Sequence, residues 1–121
     1  MKINYFVLYP NNTYEFVEKD VDFILNDIET TVINDMARFD SCVDYPGYFI
    51  ANNECQTDYT NVNKLASKFL NDEVYDVCAI VKSFEYWPSE NSDFETFNED
   101  DRKEFELILN EQIKVINNEN H

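Results

Sequence analysis

A single glycine, Gly47, serves all 121 residues of this chain, and that scarcity limits the backbone shapes within its reach. Loops that cradle a phosphate or a dinucleotide need several glycines, so that backbone N–H groups can approach the anion without a side chain in the way. One glycine cannot build them, which excludes nucleotide chemistry by those routes. Pro46-Gly47 is instead the one point suited to a type II turn, where the third residue takes a positive φ. The only histidine is His121, at the end of the chain. A Ser-His-Asp or Cys-His arrangement and a helical HExxH zinc site are therefore also missing.

Charge is the second constraint. Twenty-five Asp and Glu oppose nine Lys and Arg, for a formal charge of −16. An acidic chain without aromatics would stay disordered, but ten Phe, eight Tyr and one Trp supply enough apolar surface for a packed core. The length suits one domain, 1–121, needing neither metal nor disulfide to fold. Its field repels nucleic acid and anionic membranes and attracts basic surfaces. Sixteen Asn beside four Ala and two Arg is the usage of an AT-rich genome, common in low-GC bacteria and their phages.

The hydrophobic pattern implies an α+β fold, a small and mostly antiparallel sheet in the order β-β-α-β-α-β-α, covered by helices on one side. Ile3 to Tyr9 alternates as a strand, with Ile3, Tyr5, Val7 and Tyr9 on one face and Phe6 and Leu8 on the other. Pro10-Asn11-Asn12-Thr13 is turn chemistry, and Tyr14 to Val17 returns as the hairpin partner. Asp20 is placed to cap a helix over Val21 to Met36, with Ile24, Leu25, Ile28, Val32 and Met36 inward and Asp27, Glu29 and Asp35 in water. Arg38 to Asp44 reads as irregular and Tyr48 to Ala51 as a short strand. A helix capped by Thr60 or Asn61 runs to Asn71, and Val74 to Phe84 is the central strand. Residues 88–97 form a loop. Asn98 then caps a last helix, whose inner stripe is Phe105, Ile108, Leu109, Gln112, Ile113 and Ile116.

Carboxylates alone can hold a cation, and Asn91, Asp93 and Glu95 have the alternate spacing that opens a calcium loop. The sixth position should then be Gly and is Thr96, and the twelfth should be Glu and is Arg102. The sequence thus points to no metal and no cofactor. Cys42, Cys55 and Cys78 are odd in number, and no stretch resembles a secretory signal, which implies a reduced cytoplasmic setting. Cys78, within an apolar run, is a core residue. Cys42 and Cys55 stay undecided between free thiols and a bridge, and their acidic neighbours do not activate a thiol. No apolar stretch is long enough to cross a membrane.

Half of the total charge falls between Phe84 and Glu111, where ten acids meet Arg102 and Lys103. Phe84, Tyr86, Trp87, Phe94 and Phe97 lie in the same stretch. Tyr and Trp are enriched at binding hot spots, and flanking charge tunes encounter and selectivity. The expected partner-binding residues are Glu85, Tyr86, Trp87, Glu90, Asp93, Phe94, Glu95, Glu99, Asp100 and Asp101, facing a basic protein surface and neither nucleic acid nor membrane. The competing structural reading has Phe94 and Phe97 pinning the loop to the core while the acids form a wet helix face.

In length and composition the chain resembles the small acidic anti-defence proteins encoded by phages, a group that includes anti-CRISPR proteins, anti-restriction proteins and the inhibitors of defence-associated sirtuins. The resemblance implies a non-enzymatic inhibitor that blocks a host immune protein, an NAD-degrading Sir2 effector if the last group is the right one. The alternative is a DNA mimic occupying a nucleic-acid groove, which requires a continuous acidic track. A carboxylate-only enzyme ranks last.

Overall fold

The computed structural model describes residues 2–84, 88 and 94–119. Lys2–Leu8 (β1) and Tyr14–Asp20 (β2) pair along their full lengths, Lys2 facing Asp20 and Leu8 facing Tyr14. Ile24–Ile28 (α1) follows and continues as a π-helical turn, Glu29–Ile33. Then come Ala37–Ser41 (β3), Tyr48–Asn53 (β4), Lys64–Leu70 (α2), Cys78–Ser83 (β5), Phe94–Glu95 (β6) and Glu99–Glu119 (α3). The strands form one open antiparallel sheet in the order β2-β1-β5-β4-β3, with β6 added to β5. The class is α+β, as the pattern implies, and β5 is central.

Alternation along the strands sorts the core into two layers. Phe6, Leu8, Ile50, Cys78 and Ile80 pack with Leu65, Phe69, Phe105, Leu109 and Ile116, so α2 and α3 share one face of the sheet. Ile3, Tyr5, Val7, Phe49, Ala51, Ala79 and Val81 meet Ile24 and Ile28 of α1 on the other. The two longer helices gather on one side as expected, and the short one covers the opposite face. That cover is required because β5 is buried on both faces, from Cys78 through Val81.

The helix expected over Val21 to Met36 is much shorter. Phe23 stands at its N-cap position instead of Asp20, without a side-chain cap. The chain then leaves the helix at Asn34, which adopts φ 61°. Four consecutive β-branched residues, Thr30 to Ile33, are poor helix formers. The Thr30 and Thr31 hydroxyls also donate back to the Asn26 and Asp27 carbonyls, a contact that bends helices. Asp27 is not left in water: it accepts a 2.6 Å hydrogen bond from the Tyr5 hydroxyl and an ion pair from Lys19 at 3.2 Å. Met36, beyond the helix, is 58% exposed.

The stretch Arg38 to Asp44, expected to be irregular, contains β3. Only Ala37 and Phe39 of its side chains pack into the core beneath α1, so the alternation that marks a strand is carried by two residues. The Pro46-Gly47 turn is present: Gly47 has φ +88°, and Tyr48 N–H donates to the Tyr45 carbonyl. Among the described residues, four other positive φ angles fall on Asn12, Asn34, Asn71 and Asp76, side chains whose local hydrogen bonding tolerates the left-handed region. Asparagine therefore does here what glycine does in most chains, a role that residue usage alone does not reveal.

Two buried asparagine amides replace backbone pairing where strands part. Asn63, fully buried, caps α2 by accepting from Ala66 N–H at 3.0 Å. Its Nδ2 donates to the Leu8 carbonyl at 3.0 Å and to the Asp76 carbonyl at 2.8 Å, so one side chain joins β1, α2 and the approach to β5. Asn4 donates to the Phe97 carbonyl at 2.9 Å and accepts from Phe97 N–H at 2.6 Å. This pseudo-rung lies where β6, and no longer β1, pairs with β5.

Replacing Asn63 with alanine removes the cap and the hydrogen bonds to the Leu8 and Asp76 carbonyls, and should lower unfolding free energy by about 2–4 kcal/mol in chemical denaturation. Asn71→Ala at φ 53° should cost about 1 kcal/mol, with Asn71→Gly near neutral. Burial first, and the Asp27 hydrogen bond second, raise the Tyr5 hydroxyl well above its usual 10.0. A raised pKa gives stability that is full below the unfolded value and falls as pH climbs past it. Melting temperature should therefore drop above about pH 10, and less steeply in Tyr5→Phe, when followed by thermal scans across alkaline buffers.

Candidate protein-binding face

Of the residues expected to bind a partner, Glu85, Tyr86, Trp87, Glu90 and Asp93 lie outside the described residues. The other five sit on β6 and the first turn of α3, where the structure divides them. Phe94 is half-buried against the α1 side of the core, its ring 5.2 Å from Phe39. Glu95 lies opposite Lys82 in the β5–β6 register. Lys82 Nζ is 3.2 Å from Glu95 and 2.6 Å from Asp101, and all three side chains are about four-fifths buried. The hydrogen bond to Asp101 is the main cause that raises the Lys82 ammonium above its usual 10.5. Lys82 thus ties the central strand to β6 and to α3.

Glu99 and Asp100 remain exposed at the start of α3, where negative charge suits the helix N-terminus. Asn98 caps this helix, accepting from Asp101 N–H at 2.8 Å. The inner stripe follows the predicted spacing: Phe105, Leu109 and Ile116 are buried, and Ile108 and Ile113 pack beside them. Phe105 is the hub, its ring centroid within about 6 Å of Phe6, Tyr45, Tyr48, Phe69 and Phe97. Arg102 lies 4.4 Å over the Phe16 ring and so fastens α3 to β2. Phe97 is buried in this cluster, the structural role the competing reading gave it.

The opposite side of α3 carries an exposed aliphatic residue outside the aromatic cluster. Leu107 is 68% exposed. Asp100, Glu104, Leu107 and Glu111 follow one another at four-, three- and four-residue spacing, which lines them on one helix face, and all are exposed. Val115, 43% exposed, continues it. The signal was present in sequence as a leucine that the inner stripe does not use. The result is an aliphatic side chain flanked by Glu104 and Glu111, with Lys103 also beside it, on a firmly packed helix, a form suited to a polar, mainly basic surface with a shallow apolar recess.

Among the described residues no group of three or more His, Cys, Asp or Glu is arranged to hold a metal ion, and no helix is long and apolar enough to cross a membrane. The three cysteines are unpaired. Burial pushes the thiols of Cys42 and Cys78 up to about 12, whereas Cys55 is exposed.

A thiol reagent should accordingly label Cys55 alone in the folded protein and all three cysteines in denaturant, as counted by intact mass. Lys82→Ala strands two largely buried carboxylates and should lower stability by about 1–3 kcal/mol in chemical denaturation. Comparison with protein-family models, with curated proteins and with solved structures found no match to this chain.

Proposed function

We propose that this protein is a non-catalytic inhibitor of the kind phages encode against bacterial defence, acting in the host cytoplasm by binding a basic surface of an immune protein, with a Sir2-type NAD-degrading effector as the candidate target. The observation that carries the binding reading is Leu107, 68% exposed among Asp100, Glu104 and Glu111 on one face of α3. An isolated exposed leucine is ordinary, but one held on a rigid helix between Glu104 and Glu111, with Lys103 alongside, is arranged for selective contact. Overall charge of −16 supports fast encounter with a basic partner.

The same face argues against mimicry of DNA. Duplex DNA carries about one charge per 1.7 Å with no cations interleaved. On α3, Lys103 lies 3.7 Å from Glu99, Lys114 lies 3.4 Å from Glu111, and Arg102 pairs with Glu106 at 3.2 Å. Leucine and lysine interrupt the track that phosphate imitation requires.

The test is co-expression with a Sir2-type effector in infected cells, with cellular NAD as readout. Wild-type protein should preserve NAD, and the triple variant Asp100→Lys, Glu104→Lys, Leu107→Lys should not, while melting like the wild type. Continued NAD loss with wild type would remove the sirtuin target. If bacterial lysates then yield a partner that the triple variant still binds, α3 is not the interface, and competition by excess duplex DNA would restore the mimicry reading.

A further inference from the structure

A different surface, at the far edge of the sheet, carries open backbone hydrogen-bonding groups. Among the described residues β3 pairs only with β4. Cys42 N–H donates to the Tyr48 carbonyl and Glu54 N–H to the Met36 carbonyl, which places the even-numbered residues of this strand in the hydrogen-bonded positions toward β4. Ala37, Phe39, Ser41 and Val43 therefore turn their backbone groups outward. The two ends of this edge are closed: Glu29 Oε2 accepts from Ala37 N–H at 2.7 Å, and the Phe69 carbonyl accepts from Val43 N–H at 2.9 Å. Between them, the N–H and C=O groups of Phe39 and Ser41 have no partner among the described residues.

Beside this open stretch, on the α2 side of the sheet, lies a groove of about 500 Å³. Arg38 and Asp40 reach into it from β3, and Glu54, Asp72 and Glu73 border it. Among the described residues its one bordering cation is Arg38, already held by Asp40 at 3.0 Å. Tyr59, 60% exposed, stands edge-on to Tyr75 at 5.1 Å and forms an aromatic wall. Strand addition to an open edge takes its affinity from main-chain hydrogen bonds and its selectivity from pockets for alternate side chains.

We propose that β3 accepts an extended, basic segment of a partner protein as an added strand, pairing with Phe39 and Ser41 and placing an arginine or lysine in the groove beside Tyr59. Charge decides the occupant. The groove carries more carboxylates than cations, and a second copy of a chain with charge −16 would bring like charge to the same edge. The site does not involve α3, so it stands or falls separately from the function proposed above.

The probe is a synthetic peptide of alternating arginine and threonine, titrated into the full chain labelled with nitrogen-15, with a glutamate-threonine peptide as control. The arginine peptide should slow hydrogen exchange at the Phe39 and Ser41 amides and leave those of β2 unchanged; the acidic peptide should do neither. Ser41→Pro deletes an outward N–H at an edge position that tolerates proline, and should weaken binding at least about tenfold. Glu54→Lys with Glu73→Lys, exposed changes that spare the backbone, should abolish it, so the proposal stays testable if the proline variant does not fold. Equal binding of both peptides, protection elsewhere than at Phe39 and Ser41, or full affinity in the lysine variant would overturn it. So would concentration-dependent dimerisation that the arginine peptide cannot displace, since a second copy would then be the occupant.

Discussion

The amide of Asn63 sits where three parts of the chain have to agree in position. Its oxygen starts α2, and its nitrogen holds the end of β1 and the segment leading into β5. Ser67 adds to the same knot, donating to the Asn63 carbonyl and accepting from Val74 N–H. Without these bonds α2 would have no fixed angle to the sheet, and Phe69, which stacks on Phe105, would not be presented to α3. A polar group with no exposure is tolerable because its amide bonds are satisfied, and that completeness makes it specifying.

Around that frame the charge is distributed unevenly. At least seven of the nine cations lie within 4.0 Å of a carboxylate, among them Lys19, Arg38, Lys68, Lys82 and Arg102. Several of these pairs tie one element to another: Lys82 joins β5 to α3, and Lys68 reaches Glu119 at the far end of α3. The cations thus work mainly in local joints, and the excess acid is left outward on α3 and around the groove beside β3. Exposed charge of this kind acts over about 10 Å in ordinary salt, far enough to bias encounter and too short to organise the core.

What the sequence makes legible follows from how many residues carry each signal. β1, β5 and α3 have long periodic patterns, and their faces in the structure are those the spacing implies. β3 has two core-facing residues in five, Ala37 and Phe39, because its other face borders a polar groove. An alternation of two residues, one of them a small alanine, is too short to announce such a strand. The shortened α1 was hidden for the opposite reason: Ile24, Ile28 and Val32 do lie on one face, but four β-branched residues and the left-handed Asn34 end the helix before Met36. In the candidate site, charge density was legible in the sequence, while pairing could not be read. Glu95 and Asp101 looked like surface acids until the register of β6 brought both to Lys82.

The left-handed asparagines also bear on the denatured ensemble. Glycine loses more freedom on ordering than any other residue, by roughly 0.5–1 kcal/mol relative to alanine. A chain that closes its turns with Asn12, Asn34 and Asn71 begins from a narrower set of unfolded conformers and forfeits less entropy at each. The steric strain of the left-handed region offsets much of that gain, so the exchange is nearly neutral in stability. It is not neutral in chemistry: each such turn keeps an amide, a donor and an acceptor at a place where glycine would present only backbone.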